Sequence, residues 1–193
     1  FAILQVKSIM TALLSRYELL EPGTGKFKIY YEVTATTKGA KYYYNPIRKG
    51  SVATDESVYD PATGKALHFE VVSGADAHKD PLMTSADADT DYIRVTLTRP
   101  VPPNGQGRMV IIKTYEDAKS YYLDGKTLVF DRPLYVQRNK IVLPIRYEVT
   151  DLTVPSQILT EKDGRIAVSF LHLESGPAPL VIRASRTAQT GAK

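Results

Sequence analysis

The chain contains no cysteine and no tryptophan among its 193 residues. The lack of cysteine excludes disulfides, thiol catalysis and every metal site built on thiolates. No stretch approaches the roughly 18 consecutive apolar residues of a membrane-spanning helix, so the sequence predicts no transmembrane span. The first residues do not form a complete signal peptide either, although a leader or an anchor preceding Phe1 is compatible with the pattern.

Charge of one sign is not concentrated anywhere in the chain. There are 25 Lys and Arg against 21 Asp and Glu, which gives a formal net charge of +4. The longest basic cluster is the pair Arg48 and Lys49, whereas a nucleic-acid-binding surface needs a basic stripe, preferably with stacking aromatics. We therefore expect no nucleic-acid partner.

What the chain does contain is a series of short β-rich runs over residues 27–183, broken roughly every ten residues by Pro, Gly, Asn or Asp. The pattern predicts an all-β fold, mainly an antiparallel β-sandwich of about 10–12 strands, either as one sandwich or as two stacked sheets. Residues 60–65 form the clearest turn, because Asp60 and Pro61 start it and Gly64 can close it. The alternating sets expected to face the core are Phe27, Ile29, Tyr31 and Val33, and then Ile93, Val95 and Leu97.

The first twenty residues follow a different period. Apolar residues recur every three to four positions over residues 3–17, which predicts a short amphipathic N-terminal helix that docks on a partner or packs across the sandwich. Two other hypotheses for this N-terminal segment are that it is the end of a membrane anchor, or that residues 16–20 already belong to a first strand. The apolar positions that would contact a partner are Ile3, Val6, Met10 and Leu13.

These patterns divide the chain into three parts. Residues 1–20 are the helical or docking segment, residues 21–184 are the β-sandwich region, and residues 185–193 are a flexible tail. If the sandwich region consists of two small subdomains, we expect the boundary near residues 116–126. Residues 116–122 fit a helical turn or a bulged strand equally well.

Candidate catalytic residues are few. His68, His78 and His172 are far apart in sequence, and we expect them not to converge in one cleft. There is no H-E-x-x-H pair for zinc and no G-x-S-x-G nucleophile turn. The sequence therefore predicts a protein that is not an enzyme and needs no cofactor.

An acidic stretch offers weak candidates for a calcium site. Asp87, Asp89 and Asp91 alternate as in the first half of a calcium-binding loop. However, Tyr92 and Thr98 stand where such a loop needs its Gly and its bidentate Glu. A solvated acidic loop is the favoured interpretation, and no metal site is predicted.

Tyrosine is abundant, with 13 residues. Its ring suits a core and its hydroxyl suits a binding surface. Strand alternation places Tyr43 on one face and Tyr42 and Tyr44 on the other, so we expect the latter two on the surface. They are candidates for binding a protein or a glycan, against the alternative that they only pack at an edge.

The order of these features resembles the N-terminal β domain of gluzincin-type aminopeptidases and related bacterial envelope proteins. The features are a Tyr-Glu-Val strand at residues 31–33, a strand ending at Pro46, the hairpin over residues 58–72, and an Ile-x-Val-x-Leu strand followed by Pro-Val-Pro. The zinc-binding catalytic domain of that family has no counterpart in this sequence, so the resemblance carries over no catalytic residue. It implies an exported scaffold or docking module.

Three functions remain open. The favoured one is a non-catalytic accessory or scaffold subunit that docks onto other protein subunits of a membrane-associated, extracytoplasmic assembly. The alternative is a carbohydrate- or ligand-binding β-sandwich module, and the third is an enzyme whose carboxylates come from distant loops. If residues 1–17 are the docking segment, their deletion should leave the sandwich folded and abolish association.

Overall fold

A computed structural model of the chain describes residues 10–188, with side chains from residue 14 onward. This part of the chain is mainly β and has one helix, a single turn long. The fourteen strands described are β1 Met10–Leu19, β2 Lys26–Ala35, β3 Tyr42–Pro46, β4 Val52–Tyr59, β5 Phe69–Val72, β6 Tyr92–Thr96, β7 Gly107–Glu116, β8 Tyr121–Asp124, β9 Thr127–Leu134, β10 Arg138–Val142, β11 Tyr147–Leu152, β12 Gln157–Thr160, β13 Ile166–Leu171 and β14 Ala178–Arg186. The helix α1, Gly74–Ala77, lies between β5 and β6.

The strands form three sheets. One has seven strands in the order β12-β13-β10-β1-β2-β7-β4, one has four in the order β11-β14-β9-β8, and one has three in the order β3-β6-β5. Most pairs with a defined register are antiparallel. The pair β1 and β10 is parallel, with Ser15 opposite Asn139 and Tyr17 opposite Ile141. The antiparallel prediction therefore holds for most of the fold and fails at this pair.

The chain divides into two compact units. Of the described residues, the first contains 10–13 and 31–112, and the second contains 14–30 and 113–188. The strands β1, β2 and β7 supply residues to both units, because each of them crosses a division point.

The core of the first unit lies between two sheets. Strands β2, β4 and β7 of the seven-stranded sheet contribute one side, and β3 and β6 of the three-stranded sheet contribute the other. Ile93 and Val95 are fully buried in this core, and Leu97 is 9% exposed, whereas Arg94 and Thr96 between them are partly exposed. The alternation predicted for this strand is confirmed.

The core of the second unit is aromatic. Tyr17 and Phe27 from the seven-stranded sheet contact Phe130 of the four-stranded sheet, with ring centroids 5.8 Å and 5.5 Å from it. Beside them Arg132 donates to the carboxylate of Asp117 at 3.0 Å, and both residues are buried. The Arg132 guanidinium also lies 5.3 Å from the centroids of the Phe27 and Tyr115 rings. A charged pair is thus enclosed by aromatic rings inside this unit.

The predicted face of β2 is also confirmed. Phe27, Ile29 and Val33 are fully buried, and Tyr31 is partly buried against the core of the first unit. The turn over residues 60–65 forms as predicted, with Gly64 at φ +68° and its amide donating to the carbonyl of Asp60 at 2.8 Å. Its two arms join only at one bridge, between Tyr59 and Ala66, and then enter different sheets.

The predicted N-terminal helix is wrong for the part that the structure describes. Residues Met10–Leu19 form the strand β1, which lies between β10 and β2. Burial follows a period of two: Ser15, Tyr17 and Leu19 are buried, whereas Leu14 is 39% exposed. The helical interpretation placed Leu13 and Leu14 in one apolar stripe and left out the polar Ser15. In the structure the hydroxyl of Ser15 donates to Oδ1 of Asn139 at 2.6 Å. The alternative hypothesis, a first strand that includes residues 16–20, agrees better with the observed strand β1.

Three smaller expectations also need correction. The sandwich has more strands than the 10–12 predicted, even counting only residues 10–188. Residues 117–120 form a turn between β7 and β8, and are neither a helical turn nor a bulged strand. Strand β14 continues to Arg186, so the first residues of the predicted tail are strand; residues 189–193 lie outside the described part.

Candidate functional site

Within the described residues, no group of three or more His, Asp or Glu side chains is placed to hold a metal ion. His68 and His78 are exposed, and His172 is partly buried with no hydrogen-bond partner for its Nε2. The part of the chain that is described also contains no helix long and apolar enough to cross a membrane. The remaining candidate sites are surface grooves.

A groove lies on the outward face of the three-stranded sheet, on the side away from the core of the first unit. We call it the tyrosine groove. It has a volume of about 750 Å³, within the range of about 300–1,000 Å³ that is usual for ligand sites. The residues used below line it from the sheet and from the segment after β5: Lys41, Tyr42, Tyr44, Glu70, Asp76, Lys79, Asp80, Leu82 and Arg94.

Strand register brings the floor of the groove together. Tyr44 on β3 lies opposite Arg94 on β6, and Arg94 lies opposite Glu70 on β5. Opposite residues of paired strands point to the same face, so these three side chains form a row across the sheet. Tyr42 stands two residues along β3 and joins the same face.

Arg94 is the centre of this row. Its Nε and Nη2 donate to Oε1 of Glu70 at 3.2 Å and 2.7 Å. Its guanidinium lies 5.1 Å from the centroid of the Tyr42 ring, a cation–π contact. The hydrogen bond to the Glu70 carboxylate raises the pKa of Arg94 above its ordinary value. The guanidinium is therefore both charged and held in one orientation.

The wall of the groove is the segment of residues 73–91, which we call the covering segment. It begins at Ser73, whose hydroxyl caps helix α1 by accepting from the amide of Asp76 at 3.1 Å. Its apolar residues Ala77, Met83 and Ala86 pack with Tyr44 and Tyr92 into a small separate core. At Gly74 a Cβ atom would lie 1.9 Å from the carbonyl oxygen of Asp87, so only glycine allows the segment to close on itself.

One hydrogen bond ties this wall to the floor. The hydroxyl of Tyr44 donates to Oδ2 of Asp80 at 3.1 Å. Burial, with the charge of Asp80 beside it, raises the pKa of Tyr44 to about 12. At the outer side Lys79 donates to Asp76 at 2.7 Å, and this hydrogen bond lowers the pKa of Asp76.

The acidic candidates lie at the end of the covering segment. Asp87 accepts from the amide of Asp89 at 3.0 Å and from the hydroxyl of Thr90 at 3.0 Å, and Lys49 lies 3.6 Å from it. These hydrogen bonds, the one from the Asp89 backbone first, lower the pKa of Asp87. Asp91 uses its backbone carbonyl to accept from Ile47 at 2.8 Å. Both carboxylate oxygens of Asp87 thus accept hydrogen bonds within the loop, and the interpretation of this stretch as a solvated acidic loop stays a prediction.

The tyrosine candidates come together, but they differ in exposure. The rings of Tyr42 and Tyr44 have centroids 6.4 Å apart on the outward face, and Tyr43 is buried in the core on the other face. Tyr42 is partly exposed, whereas Tyr44 is only 4% exposed, because the covering segment packs on it. Of the other partner candidates, Met10 and Leu13 lie in β1 without described side chains, and Ile3 and Val6 lie outside the described residues.

Sequence reasoning missed Arg94, Glu70, Asp80 and Leu82 as groove residues. The outward position of Arg94 was predicted from alternation, but its neighbours depend on the pairing of β3 and β5 on either side of β6. Nothing local in the sequence indicates that order. The position of Asp80 depends on how the covering segment folds back, which only the small core around Tyr44 determines.

A second feature is the edge of the seven-stranded sheet at β12, which pairs with β13 on one side and with no other strand of residues 10–188. All four of its residues are exposed, with Ile158 49% and Leu159 40% exposed. Two shallow clefts border it within the second unit. One has a volume of about 530 Å³ and includes Gln157 and Leu171, and the other has a volume of about 450 Å³ and includes Ile158.

Comparison with known proteins gives no family model and no curated relative that matches the chain. Solved structures do match it. An M1 zinc metallopeptidase from Deinococcus radiodurans aligns with a TM-score of 0.54 at 11% identity, over 91% of this chain and 42% of that one.

Two further structures give a similar result over the same shares of the two chains. A mutant two-domain M1 zinc metallopeptidase bound to L-tryptophan has a TM-score of 0.55 at 12% identity. A mutant of the Deinococcus radiodurans enzyme bound to a Tyr-Ser-Ala substrate has a TM-score of 0.53 at 12% identity. The chain spans 42% of the length of these structures, and at such identity the likeness concerns the fold alone. That fold is similar to the N-terminal domain of a zinc metallopeptidase without its catalytic domain, the resemblance that the sequence predicted.

Proposed function

We propose that this chain is a non-catalytic β-sandwich module that docks onto another polypeptide of a larger extracytoplasmic, membrane-associated assembly. The observation that carries the proposal is the free edge of β12, with two exposed apolar side chains. The fold likeness supports the non-catalytic part, because the matched region is not the catalytic domain. The resemblance of the sequence to exported proteins supports the location.

Three of the other edge strands, β4, β11 and β3, carry features that disfavour pairing. Natural proteins protect edges with charges, bulges or proline, because an open edge offers unpaired amides and carbonyls to any extended chain. Strand β4 has Asp55 in a left-handed conformation at φ +54°, β11 has a register shift between Val149 and Asp151, and β3 ends at Pro46. Strand β12 contains no charge, no proline and no register shift against β13.

A partner strand added to β12 would gain main-chain hydrogen bonds from the edge and specificity from the bordering clefts. Four residues of pairing bury little area. A specific interface buries at least about 1,000 Å² in total, so the partner must also fill the clefts beside Gln157 and Ile158. The proposed partner segment is therefore extended and carries apolar side chains.

The experiment places a photo-crosslinking side chain at Leu159 of the protein expressed in its native host. The matched control is Leu123, which lies on the edge strand β8 and is 41% exposed, close to the 40% of Leu159. We expect one crosslinked protein at Leu159 and not at Leu123. Leu159→Lys should release the chain from that protein in native extracts, whereas Leu123→Lys should not.

Two results would overturn the proposal. One is a native protein that elutes alone from gently prepared extracts at all concentrations. The other is assembly that survives Leu159→Lys. Fractionation of the same cells tests the location separately, because a chain found only in the cytoplasm would contradict that part alone.

A further inference from the structure

We propose that the tyrosine groove binds a short, uncharged oligosaccharide. The groove lies in the first unit, whereas β12 lies in the second, so this proposal does not depend on the docking function. It is carried by the hydrogen-bonding groups that the groove offers, their charge balance, and the aromatic and aliphatic surface beside them.

The hydrogen-bonding groups suit hydroxyls. Arg94 uses only Oε1 of Glu70, and among the described residues Oε2 of Glu70 has no hydrogen-bond partner. The ammonium group of Lys41, at the β3 side of the groove, also has no ion-pair partner there. A free acceptor and a free donor in one groove favour a ligand group that can both donate and accept, which is the property of a hydroxyl.

The charges of the groove argue against a charged ligand. Three cations, Lys41, Lys79 and Arg94, stand with three anions, Glu70, Asp76 and Asp80, so the lining is neutral overall. Arg94 and Lys79 are each paired with a carboxylate. A phosphate, a sulfated glycan or an anionic lipid surface would gain no net attraction here.

The apolar surfaces suit the C–H face of a sugar ring. The partly exposed ring of Tyr42 lines the groove, and so does Leu82, which is 40% exposed. Flat aromatic rings attract the slightly positive edges and C–H groups of a ligand through the negative face of the π system. Tyr42 is thus the expected stacking residue.

The groove is also largely formed before a ligand arrives. Arg94 is fixed by Glu70 and Tyr42, and Asp80 is fixed by Tyr44 and by the amide of Leu82, which donates to its Oδ1 at 2.9 Å. Preorganised side chains lose little conformational entropy on binding. Weakly bound, flexible ligands such as oligosaccharides gain most from such a site.

The test titrates the full chain with maltotriose, cellotriose and triacetylchitotriose, using ligand-observed NMR and calorimetry. We expect at least one of these neutral sugars to bind with a dissociation constant of about 1 mM or tighter. Tyr42→Ala should weaken binding about tenfold, whereas Tyr42→Phe should keep most of it, because the ring is retained. Glu70→Gln should weaken binding as well. The matched control is Tyr135→Ala, a tyrosine 74% exposed in the second unit, which should change nothing.

Binding of sialyllactose or a sulfated trisaccharide in preference to the neutral sugars would overturn the proposal. So would binding of random heptapeptides at the groove without any sugar binding, which would assign the groove to a polypeptide. Absence of sugar binding in a folded wild-type chain, or binding insensitive to Tyr42→Ala, would also overturn it. Circular dichroism of each variant shows whether a loss reflects the groove or the fold.

Discussion

At the residue scale, the ion pair of Arg132 and Asp117 is notable because both residues are buried and need hydrogen-bond partners inside the protein. Asp117 accepts from Arg132 at 3.0 Å and from the hydroxyl of Ser120 at 2.7 Å, and its Oδ1 also accepts from two turn amides. Removing one member of a buried pair leaves the other charge uncompensated. Loss of one partner should therefore destabilise the fold, whereas replacement of both partners by well-packed apolar residues need not.

We expect Arg132→Met to lower the free energy of unfolding by about 1–3 kcal/mol, because the buried carboxylate of Asp117 would lose the hydrogen bond and the charge of the guanidinium. The control is Arg186→Met, at an exposed strand position without an ion pair among the described residues, with an expected change within about 0.5 kcal/mol. Urea unfolding of both variants measures the difference. A loss within about 0.5 kcal/mol for Arg132→Met, no larger than that of the control, would contradict this prediction.

Single residues show what the sequence could predict here. The inward positions of Ile93 and Val95 follow from period-two alternation, which is a local property of the strand. The burial of Tyr44 does not, because it results from packing against Met83 and Ala86, some forty residues further along the chain. Groove residues such as Glu70 and Arg94 become neighbours only through strand order, which alternation leaves undetermined.

At the element scale, strand β1 explains why the N-terminal prediction failed. A central strand has neighbours on both sides, and β1 lies between β10 and β2. Its apolar residues match a helical period over a short window. In the structure, however, the side chains buried in the core include those of Ser15 and Tyr17, which alternate along a strand. Periodicity over so few residues does not distinguish a helix from a buried strand.

Deletion of residues 1–17 should therefore abolish folding of the second unit, and not merely association. The deletion removes Tyr17 from the aromatic core and leaves the amides and carbonyls of β10 unpaired on one side. Near-UV circular dichroism and thermal unfolding would show the loss of a cooperative transition. Deleting only residues 1–9, which lie outside the described part, separates an effect of β1 from one of the preceding residues. A cooperatively folded 18–193 fragment would contradict the central position of β1.

At the scale of the whole molecule, buried tyrosines limit the stability of the folded state at high pH. Burial in the core of the first unit raises the pKa of Tyr43 from 10.0 to about 12. The neutral hydroxyl is thus favoured in the folded state. Its contribution to stability is complete below about pH 10 and is lost as pH rises toward about 12.

Stability should accordingly fall by about 2–3 kcal/mol between about pH 9 and about pH 12 through Tyr43 alone, since each pKa unit corresponds to about 1.4 kcal/mol. Tyr43→Phe should remove this part of the fall in the free energy of unfolding with pH, whereas Tyr135→Phe, at an exposed position, should not. Urea unfolding across this pH range measures both slopes. An identical slope in Tyr43→Phe and in the wild type would contradict the assignment.

The parallel pairing of β1 with β10 also has a consequence for synthesis. Ser15 and Asn139 are 124 residues apart, so β1 leaves the ribosome long before one of its two neighbours exists. Contacts of such high contact order form slowly, and ribosomes add only about 5–20 residues per second. For several seconds the nascent chain presents an apolar strand with an open side, so its biogenesis should depend on chaperones that hold this strand until β10 emerges.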